Sequence, residues 1–80
     1  MKLSVCTIEK VLFKGEAEKV IAMTPMGQIT VLDNHLPLIT TVLGPSIEII
    51  EKDNKKNIVE IASGFLEVRP QSEVVILSNL

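Results

Sequence analysis

β-Branched residues dominate the apolar positions of this 80-residue sequence. Val and Ile occur nine and ten times and Thr five times, whereas Ala occurs three times. Branching at Cβ restricts side-chain rotation in a helix but packs well on a pleated sheet. A period-two alternation, typical of half-buried strands, occurs in Leu3-Val5-Thr7, Ile47-Glu48-Ile49, Val59-Glu60-Ile61, Leu66-Glu67-Val68 and Val75-Ile76-Leu77. Because no segment keeps a 3.6-residue period through three turns, the sequence predicts an all-β fold.

Turn-forming residues divide the chain into short pieces. They occur at Gly15 and at residues 24–27 (TPMG), 33–37 (DNHLP), 44–46 (GPS), 53–57 (DNKKN), 63–64 (SG) and 69–72 (RPQS). The intervening segments predict roughly nine to ten short strands in a flattened β-sandwich or barrel of two antiparallel sheets. Phe13 and Phe65 are the only aromatic residues, so we expect a core of Ile, Val and Leu.

The length and charge of the chain restrict its organisation and its partners. Eighty residues predict a single domain over residues 1–80. The net charge of −2 and the scattered Lys residues provide no basic surface for nucleic acid. No apolar run approaches the roughly 18 residues that span a bilayer, and the initial MKLSV lacks the features of a signal peptide. We therefore expect a chain that stays in the cytoplasm, where its single Cys6 forms no internal disulfide.

Catalytic and ligand sites can be tested against the residues present. His35 is the only histidine, and no Gly-x-Ser-x-Gly turn is available to place a nucleophile beside it. A structural zinc site uses four Cys or His ligands, and the chain offers one of each. The glycines form neither a Gly-x-x-x-x-Gly-Lys nor a Gly-x-Gly-x-x-Gly loop for phosphate groups. The residues therefore indicate no catalytic residue, metal, cofactor or nucleotide, and favour a binding role.

Apolar residues beside turns indicate where a binding surface could lie. Met26 occupies the tip of one turn, and Leu36 leaves another directly after His35. Apolar side chains on the loops of a small domain often mark a surface that a partner covers. We expect Met26 and Leu36 to be exposed, whereas Leu38 is better explained as a core residue that follows Pro37 into a strand.

Two motifs in order give the chain a family resemblance. GQITVLDNHLPLITTVLGPSIEI resembles a pattern of Gly, alternating apolar residues, His-x-Pro-Leu, an apolar residue and Thr, followed by Gly and a strand. ASGFLEVRPQSEVVIL resembles a Ser-Gly-Gly-x-Leu-Glu-Val segment followed by a turn and a last strand. With GEAEKV ahead of them, the two motifs cover essentially the whole chain. The sequence resembles the N-terminal β-sandwich domain of the epsilon subunit of F-type ATP synthase.

This resemblance implies a non-catalytic subunit of a rotary motor. In that family the sandwich holds the gamma subunit along one side, touches the membrane c-ring at one end, and helps couple ion flow to ATP synthesis. The implied location is peripheral, on the cytoplasmic face of a bacterial plasma membrane or the stromal face of a thylakoid. Most relatives continue into a regulatory helical hairpin, which we expect to be absent here. The alternative is a free-standing β-sandwich that binds another protein or a ligand.

The resemblance also assigns roles to individual positions. The implied gamma-facing surface comprises Thr7, Leu12, His35, Leu36, Leu38 and Thr40, and the implied c-ring-facing turn comprises Met26, Gly27 and Gln28. Three residues depart from the family pattern: Asp33 replaces a common Pro, Leu36 replaces a usual Ala, and Gln28 replaces an acid found in several relatives. Because Asp33 lies two residues before His35, we expect its carboxylate to make the histidine's contact depend on pH.

Overall fold

A computed structural model describes residues 1–79, and these residues form eight β-strands. The strands are β1 (Lys2–Cys6), β2 (Val11–Glu16), β3 (Lys19–Thr24), β4 (Gly27–Leu32), β5 (Leu38–Ile50), β6 (Lys56–Glu60), β7 (Ser63–Arg69) and β8 (Glu73–Ser78), with a short 3-10 turn at Lys52–Asn54. The predicted all-β class is confirmed. Within residues 1–79 there is no helix with the length and apolar character needed to cross a membrane.

All eight strands belong to one hydrogen-bonded sheet, in which β5 connects two halves. The strand order is β2-β1-β8-β7-β5-β3-β4, and β6 pairs with the other end of β5. The first part of β5 pairs with β7 and the last part with β6. The first half of the sheet therefore holds β1, β2, β7 and β8, and the second half holds β3, β4 and β6. Because buried side chains of both halves form a single cluster, the sheet folds over itself as a flattened sandwich.

The strand pairing differs from the prediction in two respects. β1 pairs with β8 in parallel, whereas we predicted antiparallel sheets throughout. The strand count is eight instead of nine to ten, because β5 runs continuously for 13 residues through the predicted turn at residues 44–46. An isolated Gly or Pro within a strand often marks a bend or a bulge and does not end the strand. Here the register of β5 with β3 shifts beside this point, between Ile21 and Met23.

Two further predicted turns lie inside strands. Gly15 belongs to β2, and the chain turns after it, at residues 17–18. Gly64 belongs to β7, where it pairs with both Val42 and Ser78. A Cβ at Gly64 would overlap the carbonyl group of Leu77 on the neighbouring strand. Glycine is therefore required at position 64 by the close approach of two backbones, and not by a turn.

The core consists of Ile, Val and Leu with a few small residues, as predicted. Its buried members are Met1, Leu3, Val5, Ala17, Val20, Ala22, Val31, Val42, Ile47, Ile49, Ile61, Leu66, Val68, Val74 and Ile76. Phe13 packs against this cluster, whereas Phe65 is 59% exposed. Ser78 is buried at the end of β8, and its hydroxyl has no hydrogen-bond partner among residues 1–79.

Candidate functional site

The outward surface of the first half of the sheet carries a contiguous apolar face. Strand pairing places a row of side chains side by side, in the order Thr41, Phe65, Leu77, Cys6 and Val11. Ile39 and Leu43 lie two residues to either side of Thr41 on β5, so they flank Phe65 diagonally. The exposed fraction is 71% for Ile39, 62% for Val11, 59% for Phe65 and 45% for Leu77. We call Cys6, Val11, Ile39, Leu43, Phe65 and Leu77 the outer apolar face.

The outer apolar face arises because β7 and β8 are apolar on both sides. Leu66 is buried while its neighbour Phe65 is exposed, and Ile76 is buried while its neighbour Leu77 is exposed. Period-two alternation assigns one apolar side of these strands to the core and does not identify the other as an exposed surface. Adjacent apolar residues within an alternating segment indicate such a strand, because a strand with two apolar sides must be covered by other protein on both sides.

The loop of residues 33–37 carries the motif histidine and leads from β4 into β5. The amide of His35 donates to the carbonyl of Leu32 at 3.2 Å, which closes a turn in which Asn34 has a φ of 61°. Asn tolerates this left-handed region better than most residues. The Nδ1 atom of His35 lies 2.7 Å from the carbonyl oxygen of Leu36, an acceptor, so Nδ1 is the donor. His35 is exposed and Leu36 is 79% exposed, as predicted for Leu36.

The carboxylate of Asp33 forms hydrogen bonds to Met1 and Ser72. Its Oδ1 accepts hydrogen bonds from the α-ammonium group of Met1 and, at 3.3 Å, from the hydroxyl of Ser72. The hydrogen bond and the charge of the ammonium group, followed by the Ser72 hydroxyl, hold the pKa of Asp33 below its ordinary value. The carboxylate is therefore turned toward the start of β1 and the β7–β8 turn, and the expected pH dependence of the His35 contact stays a prediction.

The six residues of the implied gamma-facing surface do not form one patch. Leu38 and Thr40 lie on the inward side of β5, opposite Val68 and Leu66, and Leu38 packs against the core as its position after Pro37 predicted. Thr7 and Leu12 line a groove between β2 and β6. Thr7 follows the last residue of β1, whereas Asp33, in the turn before His35, contacts Met1 just before the first residue of β1. The length of β1, roughly 17 Å, therefore separates Thr7 from this turn. Their shared contact with a partner stays a prediction.

The turn at residues 24–27 is confirmed, and it presents an apolar tip. The hydroxyl of Thr24 donates to the carbonyl of Gly27 at 2.7 Å and accepts from the amide of Met26 at 3.1 Å. Gly27 has a φ of 115°, which L side chains rarely adopt, and Pro25 fixes the preceding bend. Met26 is 97% exposed, and Gln28 is also exposed. The turn is therefore an exposed projection with internal hydrogen bonds, and its orientation toward a c-ring stays a prediction.

Chemistry-bearing side chains are dispersed over the fold. Cys6 lies within the outer apolar face, whereas His35 lies on the loop before β5. Across residues 1–79, no three His, Cys, Asp or Glu side chains come together in a manner that could hold a metal ion. The exposed features described above are the outer apolar face, the His35 loop and the Met26 turn.

Comparison with known proteins gives these surfaces a family context. Residues 1–79 match the model of the ATP synthase, Delta/Epsilon chain, beta-sandwich domain. The ATP synthase epsilon chain of Clostridium kluyveri is 35% identical over 80 residues, which is 100% of this chain and 60% of the relative. The epsilon chain of Leptospira interrogans is 38% identical over 72 residues, or 90% of this chain and 56% of the relative. The chain thus spans about 60% of the length of such curated relatives.

Solved structures share the same fold. A chain in the cryo-EM structure of the Euglena gracilis mitochondrial ATP synthase, OSCP/F1/c-ring, superposes with a TM-score of 0.86 at 23% identity, over 95% of this chain and 48% of that one. A chain in the Tetrahymena thermophila mitochondrial ATP synthase central stalk and c-ring gives 0.81 at 12% identity, over 99% of this chain and 63% of that one. Together with the family match over residues 1–79, this fold shows that the chain belongs to the ATP synthase delta/epsilon chain β-sandwich family.

Proposed function

We propose that this chain is a non-catalytic central-stalk subunit of an F-type ATP synthase that links the gamma subunit to the c-ring. The family match over residues 1–79 supports membership of this complex. The exposed outer apolar face is the single observation that most supports contact with the gamma subunit. Soluble monomers rarely expose a large contiguous apolar patch unless it binds something. The chain performs no reaction of its own in this proposal, and it acts by holding two partners together.

The outer apolar face has the composition of a protein interface. Ile39, Phe65 and Leu77 are 71%, 59% and 45% exposed, so each would contribute about 1–2 kcal/mol if a partner buried the remaining area, before the entropy of association is subtracted. Charged residues border it. The guanidinium of Arg69 forms ion pairs with two carboxylates: its Nε lies 3.1 Å from Oε1 of Glu67, and its Nη1 lies 3.6 Å from Oε1 of Glu73. Glu67 is the cross-strand neighbour of Ile39. An apolar centre with a polar border is the usual anatomy of a specific interface, and we assign it to the gamma subunit.

The residues implied by the family resemblance extend this assignment. His35 and Leu36 are exposed on the loop that enters β5 just before Ile39, so they would meet the gamma subunit at one end of the outer apolar face. Leu38 and Thr40 lie on the inward side of the same strand, and Thr7 and Leu12 lie in the groove beside β2, so in this proposal they support the strands that bear the contact. The exposed turn of Met26, Gly27 and Gln28 would touch the polar loops of the c-ring.

A close-packed β-structure suits this role mechanically. Protein interiors resist compression, so a domain whose core joins both halves of one sheet transmits force between its surfaces with little deformation. We place the chain at a membrane only through its complex, peripherally, and on the cytoplasmic face in a bacterium.

Binding of the gamma subunit of the same enzyme tests the proposal. We expect Phe65→Ala to weaken binding about 30-fold, as for a central interface residue. Leu32→Ala is the matched control, because Leu32 is 54% exposed but lies on β4, in the other half of the sheet and outside the residues assigned to either partner. In titration calorimetry, equal affinities for the two variants would contradict the assignment of this face.

Cys6 provides a second readout that needs no mutation. It is the only cysteine, it is half-buried, and it lies between Leu77 and Val11 in the row of the outer apolar face. We expect bound gamma subunit to slow maleimide labelling of this thiol at least about tenfold, since the interface would exclude the reagent. A labelling rate that gamma does not change would place its contact elsewhere and favour a different binding module.

A further inference from the structure

The loop that presents His35 is held by a residue far away in sequence. Within residues 33–36, the backbone contacts the rest of the fold through the amide of Asn34, which donates to the hydroxyl of Ser72 at 2.8 Å. The same hydroxyl donates to Oδ1 of Asp33 at 3.3 Å. The hydroxyl of Ser72 therefore forms hydrogen bonds to two successive residues of the turn, and Ser72 lies 38 positions from Asn34 in the sequence.

We propose that Ser72 is a positioning residue for partner binding, acting through the Asp33–Asn34 turn to fix the direction in which His35 and Leu36 project. The inference rests on the proposed function, because it assigns Ser72 a role in the same gamma contact. Among residues 1–79, the hydrogen bonds of His35 go to Leu32 and Leu36 alone, which are both local, so its placement depends on how the neighbouring turn is anchored.

The backbone of Ser72 supports a role for its hydroxyl. Ser72 has a φ of 56° and the preceding Gln71 a φ of 66°, in the left-handed region that Gly and Asn adopt most readily. The carbonyl of Ser72 accepts from the amide of Lys2 at 2.9 Å, which ties this turn to the first residue of β1. Serine adopts this left-handed backbone less readily than Gly or Asn does. Its hydroxyl, however, can accept from the amide of Asn34 and donate to Asp33 at the same time.

Replacing Ser72 by Gly separates positioning from folding. Ser72→Gly suits the left-handed backbone, so we expect its melting temperature to stay within a few degrees of the wild type. Loss of the two hydrogen bonds should nevertheless weaken gamma binding about five- to tenfold. Exchange of the Asn34 amide, followed by NMR, should accelerate about tenfold or more because its acceptor is gone.

Two further variants complete the experiment. Gln71→Gly makes the same backbone change one residue earlier and leaves the hydroxyl, so it should keep wild-type binding and Asn34 exchange. Ser72→Asn keeps a residue that tolerates this φ and restores an acceptor and a donor, so it should recover most of the lost affinity.

The possible results separate the two proposals. A wild-type chain that does not bind the gamma subunit refutes the proposed function. If the wild type binds, the positioning role is refuted by a Ser72→Gly variant that binds as tightly as Gln71→Gly. It is refuted equally by an Asn34 amide that exchanges no faster in Ser72→Gly than in Gln71→Gly.

Discussion

The close approach of β7 and β8 at Gly64 predicts that this position tolerates no side chain. A Cβ there would overlap the carbonyl group of Leu77, a backbone atom that cannot move by rotating a side chain. Gly64 pairs with Val42 on one side and Ser78 on the other, so a shift of β7 would disturb both ladders. The Gly64→Ala variant can fold only if two central strands separate locally.

The magnitude follows from overpacking and from strained hydrogen bonds. Inserting a methyl group into a filled site typically costs about 1–3 kcal/mol. The adjacent bond from the amide of Asn79 to the carbonyl of Ser63, 2.7 Å long, would add about 1 kcal/mol if it broke. We therefore expect Gly64→Ala to lower the free energy of unfolding by about 3 kcal/mol. For a domain of this size, that corresponds to a fall in melting temperature of roughly 12–24 °C.

Gly15→Ala is the matched control, because it makes the same change in a strand with room for it. The nearest atoms to a Cβ at Gly15 belong to the ring of Phe13, at 3.8 and 3.9 Å, which is ordinary contact. Its effect should stay within about 0.5 kcal/mol. Urea unfolding followed by far-UV circular dichroism suits both variants, since the chain has no Trp or Tyr for fluorescence. Equal midpoints for Gly64→Ala and Gly15→Ala would refute the reasoning.

Three other substitutions test separate features of the fold. Ser78→Ala should stabilise the chain by about 1 kcal/mol, because it removes a buried hydroxyl that has no partner within residues 1–79, and a loss of stability in urea would show that the hydroxyl is bonded. Gly27→Ala should cost about 1–3 kcal/mol, since its φ is 115°, and an unchanged melting temperature would contradict this. The pKa of Asp33 is lowered from 3.8 by Met1, so its stabilisation is present above pH 3.8 and is lost as the pH falls through the lower folded value. Asp33→Asn should therefore be less stable than wild type at neutral pH, with a difference that closes in acid, and a difference that stays constant from pH 7 to pH 2 would contradict the pairing.

Local properties of the sequence determined the fold class and the positions of several turns. β-Branched residues and period-two alternation depend on neighbouring residues alone, and they predicted strands throughout the chain. The turn at residues 24–27 was equally predictable, because Pro25 and Gly27 impose its backbone. The exposure of Met26 and Leu36 followed from their places at turns. The two motifs, read together, also gave the family that the match over residues 1–79 shows.

The tertiary structure decided the features that depend on residues distant in sequence. Alternation alone does not show which strand lies beside another, so the parallel pairing of β1 with β8 was missed. It also does not show which side of β7 faces outward when both Phe65 and Leu66 are apolar. The carboxylate of Asp33 bonds to the α-ammonium group of Met1, 32 positions away in sequence, because the folded sheet brings the start of β1 to it. Sequence thus set what each segment could form, and chain packing set which surfaces remained for a partner.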